Sequence, residues 1–326
     1  MTTTPPWVPY LKTVYNVIDT IETDLSLVLF TETTAIKLRK HKDNGFIDYR
    51  STKQRRQYLS YEWQRGSESS PELYRELITV YDVNGKYSLT GENESAVDWA
   101  IIMNRFSTDQ RLDRLLPTLT SNRLIEGLAL SVSNMHNRAK ISPKNAFKMG
   151  SLETISNIYS RNIRLLRSTF SSHSSESKLI NDIKAVGNEL LDDNGATITD
   201  RYLNGFIREC HGDLHSGNIA LFSGRLQLYD YMDGPETLIN IDILSDFSML
   251  YTSLEIHSEP MASLLLETYL SNIEGKNPRE LLSFYRVHRF LVRARVKAFE
   301  IKAGIRSDSL IPYLESVKML IQKPLH

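Results

Sequence analysis

His211-Gly212-Asp213-Leu214-His215-Ser216-Gly217-Asn218-Ile219, with Asp230 twelve residues after Asn218, is the stretch that decides the fold. Downstream of the loop, Ile219 to Phe222, the turn Ser223-Gly224 and Leu226 to Tyr229 form a small β-hairpin, two short apolar runs joined by a turn signal. The hairpin reverses the chain, so Asp230 is delivered alongside the loop that carries Asp213 and Asn218. Hard oxygen donors of this kind, one or two carboxylates with an amide oxygen and phosphate oxygens, are what Mg²⁺ selects. Each residue alone would read as part of a polar loop. As a set at this spacing they read as functional.

Working toward the N-terminus, Leu25 to Phe30 and Thr34 to Leu38 are short apolar runs separated by Thr31-Glu32-Thr33, the pattern of a hairpin. Ser51 with Gln54 three residues later predicts a capping box, and Tyr58, Leu59 and Glu62 then fall on one helical face. Glu62 therefore points where apolar side chains point. Strands are expected at Leu77 to Val83 and Lys86 to Thr90, joined by Asn84-Gly85, and at Val97 to Arg105.

Beyond about Phe106 the period becomes helical. Leu124, Ile125, Leu128, Ala129, Val132, Met135 and His136 keep one stripe, and helices are expected over Leu152 to Thr169, Lys178 to Leu191, Asp242 to Leu254, Met261 to Ser271 and Arg279 to Lys302. His136 on that stripe reads as a satisfied core histidine. Ser171 to Ser177 reads as an exposed loop.

Composition narrows the function classes. The 39 basic and 39 acidic side chains balance, which argues against a protein built mainly to coat nucleic acid. No run of apolar residues is long enough to span a bilayer. The single cysteine, Cys210, cannot form an intrachain disulfide, suits a reducing compartment, and reads as a small buried residue. A cytoplasmic protein with no secretory signal and no membrane partner is the expectation.

The loop, hairpin and acid resemble the aminoglycoside phosphotransferase and protein-kinase-like superfamily, whose phosphotransferase branch has His-Gly-Asp at this place. Within it the chain looks most like bacterial aminoglycoside phosphotransferase family proteins of unknown substrate that are often fused to a P-loop ATPase domain. The matching segments are Glu22 to Ser26, Ala35 to Lys40, Asn44 to Tyr49, Arg55-Arg56, Glu62, Pro71 to Tyr74, Met103 to Phe106, His211 to Ile219, Ile241 to Asp246 and Val292 to Val296. They run in order over nearly the whole chain. Three departures stand out: Thr23-Asp24-Leu25-Ser26 occupies the place of a glycine-rich loop, Tyr231-Met232 follows the second acid, and no P-loop motif occurs.

The resemblance implies a two-lobed, protein-kinase-like α+β fold. It places a strand-rich N-lobe over residues 1–105 and a helical C-lobe over 106–326. It implies ATP and Mg²⁺ as cofactors and transfer of the γ-phosphate to a hydroxyl of a small-molecule acceptor. Lys37 becomes the strand lysine that contacts phosphates and Glu62 its helix partner. Met103, Asn104 and Arg105 form the hinge that meets adenine. Asp213 is the catalytic base or hydroxyl-orienting carboxylate, Asn218 and Asp230 are the metal ligands, and His211 and Asp246 support the loop.

Other readings stay open. A protein Ser/Thr kinase and a nucleotide-binding regulatory pseudokinase are the alternatives for the whole chain. His215 with His211 and Asp213 could form a hydrolase-like metal site, which leaves Asn218 without a task. Lys37 lies in the basic run Lys37 to Lys42, which by itself reads equally well as a solvated surface. Arg286, Arg289, Arg293, Arg295 and Lys297 are either a solvated face of the last long helix or a second-substrate surface.

Overall fold

The computed structural model describes residues 4–43, 47–142, 148–234, 236–276, 278–302 and 311–322. The chain divides into two compact units, Met1–Thr120 with Ser216–Pro235, and Ser121–His215 with Glu236–His326. The expected lobes are contiguous in sequence. By packing, the hairpin segment Ser216–Pro235 goes with the first unit.

The first unit opens with helix α1 (Val8–Val14), then strands β1 (Asp19–Glu22), β2 (Ser26–Phe30) and β3 (Thr34–Arg39), and helix α2 (Thr52–Ser69). Strands β4 (Tyr74–Val83), β5 (Lys86–Ser88) and β6 (Ala96–Asn104) and the short α3 (Leu112–Leu115) follow. The six strands form one antiparallel sheet in the order β1-β2-β3-β6-β4-β5. Neither α1 nor β1 is expected from the sequence. Ser51 does stand at the N-cap of α2, but its side chain caps nothing, so the predicted capping box does not form.

Alternation along the strands assigns the two faces of this sheet. Ile36 and Leu38 of β3 join Leu27, Leu29, Ala100 and Ile102 in a core closed by Trp7, Val8 and Leu11 of α1. On the opposite face Trp99, Ile101 and Met103 of β6 pack with Leu73, Tyr74 and Leu59 of α2. Lys37 and Arg39 alternate with Ile36 and Leu38, so they point to the α2 face. A slip of one residue would exchange these cations with fully buried aliphatic side chains, each of which contributes about 1.5–3 kcal/mol on burial. The register is thereby strongly specified.

The second unit begins with α4 (Asn122–Arg138), α5 (Leu152–Arg167), α6 (Ser175–Leu203) and strand β7 (Ile207–Glu209). The chain then returns to the first unit as the hairpin of β8 (Ile219–Phe222) and β9 (Arg225–Leu228). It comes back as α7 (Glu236–Ile239), β10 (Asn240–Asp242), α8 (Ile243–Glu255), α9 (Glu259–Asn272), α10 (Arg279–Lys302) and α11 (Ile311–Gln322). The serine-rich stretch is only partly a loop: Ser174 caps α6 through its hydroxyl, and Ser177 is buried in the first turn. Among the described residues no helix is long and apolar enough to cross a membrane.

Strand β10 pairs antiparallel with β7, and the Cys210 N–H donates to the Ile239 carbonyl at 2.8 Å. Asp242 ends β10 and caps α8 by accepting from the Leu244 N–H at 2.8 Å. Arg201 of α6 grips the same carboxylate through two bonds of 2.7 Å. The pair is 1% exposed on both sides, a bidentate geometry that suits a desolvated ion pair. These contacts fix where α8 starts, and hence where Asp246, one turn in, projects.

Candidate active site

In the first unit the residues expected to handle phosphate meet on the α2 face of the sheet. The buried stripe of α2 is Arg55, Leu59, Glu62 and Gly66, spaced four, three and four residues apart. Glu62 is fully buried in line with Leu59, and Lys37 Nζ donates to its Oε1 at 2.6 Å. Lys37 also pairs with the carboxylate of Asp230. Lys37, Glu62 and Asp230 are thus brought together within the first unit.

Sequence reasoning misses the second layer of this cluster. Arg39, two residues along β3 and on the same face as Lys37, donates to Glu62 Oε2 at 2.9 Å and through Nε to Asp233 Oδ2 at 2.6 Å. The Tyr49 hydroxyl donates to Asp233 Oδ1 at 2.8 Å. The available signals were Lys37 and Arg39 at strand period, and Asp233 three residues after Asp230. The basic run is no solvated surface here: Lys37, Arg39 and Lys40 are all buried.

Burial and the charge of Arg39 disfavour a charged Lys37, but Asp230 and Glu62 outweigh them and its pKa lies above the ordinary lysine value. Burial, against the pull of Lys37 and Arg39, pushes the Glu62 carboxyl up to about 7. Three carboxyl groups, Glu62, Asp230 and Asp233, face two cations, Lys37 and Arg39.

The hairpin sets Asn218 beside Asp230. Ile219 pairs with Leu228, and the Tyr229 N–H donates to the Asn218 carbonyl at 3.0 Å. Asp230 then leaves the strand with φ 61°, its N–H donating to the Tyr74 hydroxyl at 3.0 Å. About half of its side chain is exposed, 48%, although Lys37 holds one oxygen. An exposed Asp230 carboxylate with the buried Asn218 amide next to it on the hairpin is a donor set that fits a hard divalent cation such as Mg²⁺.

In the second unit the loop is held from below. Asp246, wholly buried, accepts from the N–H groups of His211 and Gly212 at 3.0 Å each and contacts His136 Nε2 at 3.1 Å. Burial opposes its charge, yet His136 and the neighbouring cations keep its carboxyl below the usual range. His211 Nδ1 accepts from the Asp213 N–H at 3.4 Å. His136 also bonds the Tyr269 hydroxyl at 2.8 Å, as expected of a satisfied core histidine. Cys210 is fully buried.

Asp213 itself is half-buried. Arg293 Nη1 donates to its Oδ1 at 3.1 Å, and His215 Nε2 lies 3.5 Å from Oδ2. Burial would raise this carboxyl, but Arg293, His215 and Arg289 hold it well below the usual carboxylate range. The basic cluster of α10 is likewise no solvated face. Residues 281–291 are buried throughout, and Arg286, Arg289, Arg293 and Lys297 recur at three, four and four residues, one helical stripe. That spacing was present in the sequence.

The segment expected to meet adenine is partly committed to the sheet. The Asn104 N–H donates to the Leu73 carbonyl and the Arg105 N–H to the Thr33 carbonyl, both at 2.8 Å. Neither donor remains for a base. A cavity of about 580 Å³ in the second unit, lined by Tyr159, Arg164, Arg167 and Lys184 among others, contains none of the predicted site residues.

Solved structures share this architecture. A choline/ethanolamine kinase family protein from Mesorhizobium loti matches with a TM-score of 0.59 at 10% identity, over 97% of this chain and 92% of that one. The choline kinase of Cryptosporidium parvum Iowa II gives 0.56 at 12% identity, over 98% and 94%. The aminoglycoside phosphotransferase APH(2")-IIia, in complex with GDP and kanamycin, gives 0.53 at 10% identity over 97% of both chains. The fold is protein-kinase-like. No protein-family model and no curated protein matches the sequence. Within a kinase-like fold, the α+β class expected from the sequence holds, and Lys37, Glu62 and Asp230 converge on the sheet while Asp246 carries the His211–Asp213 loop.

Proposed function

We propose that this chain is an ATP- and Mg²⁺-dependent phosphotransferase acting on a hydroxyl of a small molecule, with residues 1–105 as its nucleotide-covering lobe and 106–326 as its helical lobe. A cytoplasmic setting fits its single, buried cysteine. The observation that carries the reading is the buried Lys37–Glu62 pair at 2.6 Å with Asp230 on the same ammonium. A lysine fixed between a structural carboxylate and an exposed one is placed to meet anionic phosphate oxygens. Small-molecule kinases and phosphotransferases among the solved structures of similar fold support it, one of them holding GDP.

Asn218 and Asp230 would hold the divalent cation, whose chemistry is to neutralise charge on the phosphates. Lys37, oriented by Glu62, binds a phosphate oxygen. Asp213 accepts a hydrogen bond from the acceptor hydroxyl and aims its oxygen at the γ-phosphorus. As that O–P bond forms, the bond from the γ-phosphorus to the β,γ-bridging oxygen breaks and its electron pair leaves with the nucleoside diphosphate. The hydroxyl proton passes to Asp213 and then to water. An aspartate held so strongly ionised is a weak base, so orientation is its main contribution, which suits a loose transition state.

Thermal unfolding of the purified chain tests the site, because a ligand that binds only the folded state raises the midpoint, by about 2.7 kcal/mol at a hundredfold excess over Kd. ATP with Mg²⁺ should raise it, and Asp230→Ala should weaken the rise. Asp213→Asn should keep the fold and abolish transfer. The absence of any response to ATP, GTP or Mg²⁺, or full transfer by Asp213→Asn, refutes the proposal.

A further inference from the structure

The surroundings of Asp213 within the second unit are cationic. From Leu281 to Phe299, α10 has no carboxylate and carries Arg286, His288, Arg289, Arg293, Arg295 and Lys297. Arg286 is taken by Glu255. Arg289, more than nine-tenths buried, donates from Nη2 to the Gly212 carbonyl, a neutral partner, and its Nε has no hydrogen-bond partner. Arg293 lies on Asp213 with 29% of its side chain exposed, and among the described residues Asp213 is its carboxylate partner. Asp246, which accepts from two backbone amides and faces His136, also feels the charge of Arg289, whereas Arg293 is turned to Asp213. Asp213 thus meets the Arg293 guanidinium and the His215 ring, with Arg289 anchored behind it on the Gly212 carbonyl.

We infer that the acceptor is an alcohol bearing an anionic group, a carboxylate or a phosphate monoester, and that Arg293 receives that group by leaving Asp213. This rests on the phosphotransferase reading above and narrows it to a substrate class. A guanidinium fork matches carboxylate and phosphate bidentately, and Arg293 keeps part of its surface open to do so. Its departure hands the Asp213 oxygen to the acceptor hydroxyl, so the anion and the hydroxyl are recognised together. Choline, ethanolamine and kanamycin, named in the solved structures of similar fold, are cationic. Here such a substrate would bring like charge to Arg293, at a cost in affinity between about fivefold and about a thousandfold for a contact of about 4 Å, as the site ranges from water-like to protein-like in dielectric.

The test is a matched panel on the purified full chain in the presence of Mg²⁺ and ADP: gluconate and glucose 6-phosphate, glucose, glucosamine and choline, extended to other hydroxy acids and sugar phosphates. Thermal stabilisation gives binding, and product formation with ATP gives transfer. Stabilisation and turnover by anionic members, with R293Q raising their Kd and KM by ~10–100-fold and R293K, which keeps the charge but not the fork, restoring only part of the loss, is the expected result. Gluconate and glucose 6-phosphate separate carboxylate from phosphate. Preference for glucose, glucosamine or choline, or no response to any anionic member, overturns the inference while a wild-type response to Mg²⁺–ATP leaves the phosphotransferase reading standing. Failure of that nucleotide response overturns both.

Discussion

Replacing Asp246 with asparagine removes the charge under the loop while keeping the size of the side chain. Oδ1 accepts from the Gly212 N–H, and Oδ2 accepts from the His211 N–H and faces His136 Nε2, at 3.0, 3.0 and 3.1 Å. An amide can preserve one of these oxygens only. In its better orientation the carbonyl keeps the His211 and His136 contacts, loses charge assistance in both, and turns an NH₂ group against the Gly212 N–H. With no exposure to water at this site, one lost charged hydrogen bond, two weakened ones and a donor facing a donor cost about 3–5 kcal/mol. If that anchor governs local opening of the loop, the amides of His211 and Gly212 exchange ~100–3,000-fold faster in the variant, at about 1.4 kcal/mol per decade. Native-state hydrogen exchange of these two amides is the assay. Ile183→Ala, a fully buried change on α6, gives a comparable global loss as the control. Equal acceleration of the two amides in both variants, or none in Asp246→Asn, would refute the reasoning.

Gly66→Ala should unsettle the proposed cation site without touching it: a Cβ there would lie 2.3 Å from the buried Tyr74 ring, whose hydroxyl accepts the Asp230 N–H. A loss of about 1–3 kcal/mol in urea unfolding is expected, with a smaller Mg²⁺–ATP midpoint shift; unchanged values in both would show that the ring yields freely. His288 carries a pH dependence. Burial, with Arg289 and Arg295 nearby, brings it down to about 3, while the unfolded chain takes up the proton near 6.5. Stability is therefore lost as pH falls from about 6.5 toward 3, at up to ~1.4 kcal/mol per unit. His288→Phe, which also removes an unpartnered Nδ1 stacked on Phe284, should reduce the pH 7 to pH 4.5 loss by about 2–3 kcal/mol, and equal losses in both proteins would rule this out.

Period made most of the fold legible. Strands β2 and β3, the hairpin of β8 and β9, and helices α4, α8, α9 and α10 follow directly from spacings of two and of three to four in apolar residues. Where the sequence reading fails, the deciding partner is distant in sequence. Strand β1 is exposed along most of its length and has no apolar pattern to find, and it exists because Asp19–Glu22 can pair with Leu27–Phe30. Helix α1 forms over a proline-rich start because Trp7, Val8 and Leu11 close a core supplied by β2, β3 and β6. Ser51 marks a helix start correctly and yet does not cap it.

The candidate site divides the same way. Glu62 could be placed because its burial follows from its own helix, whereas the weight of Arg39 depends on Asp233, 194 residues away. The α10 arginines show what a charge pattern lacks when read alone. A stripe of cations three and four residues apart on an otherwise apolar helix cannot be solvated where the helix is central, so each charge must find an oxygen elsewhere in the fold. Arg286 finds Glu255, Arg289 the Gly212 carbonyl, and Arg293 the aspartate that the motif marks for chemistry. Three positions of one helical stripe thus run from a structural ion pair, through a loop anchor, to a cation on Asp213. On the acceptor reading proposed above, it is this placement that would tie acceptor charge to the His211–Asp213 loop.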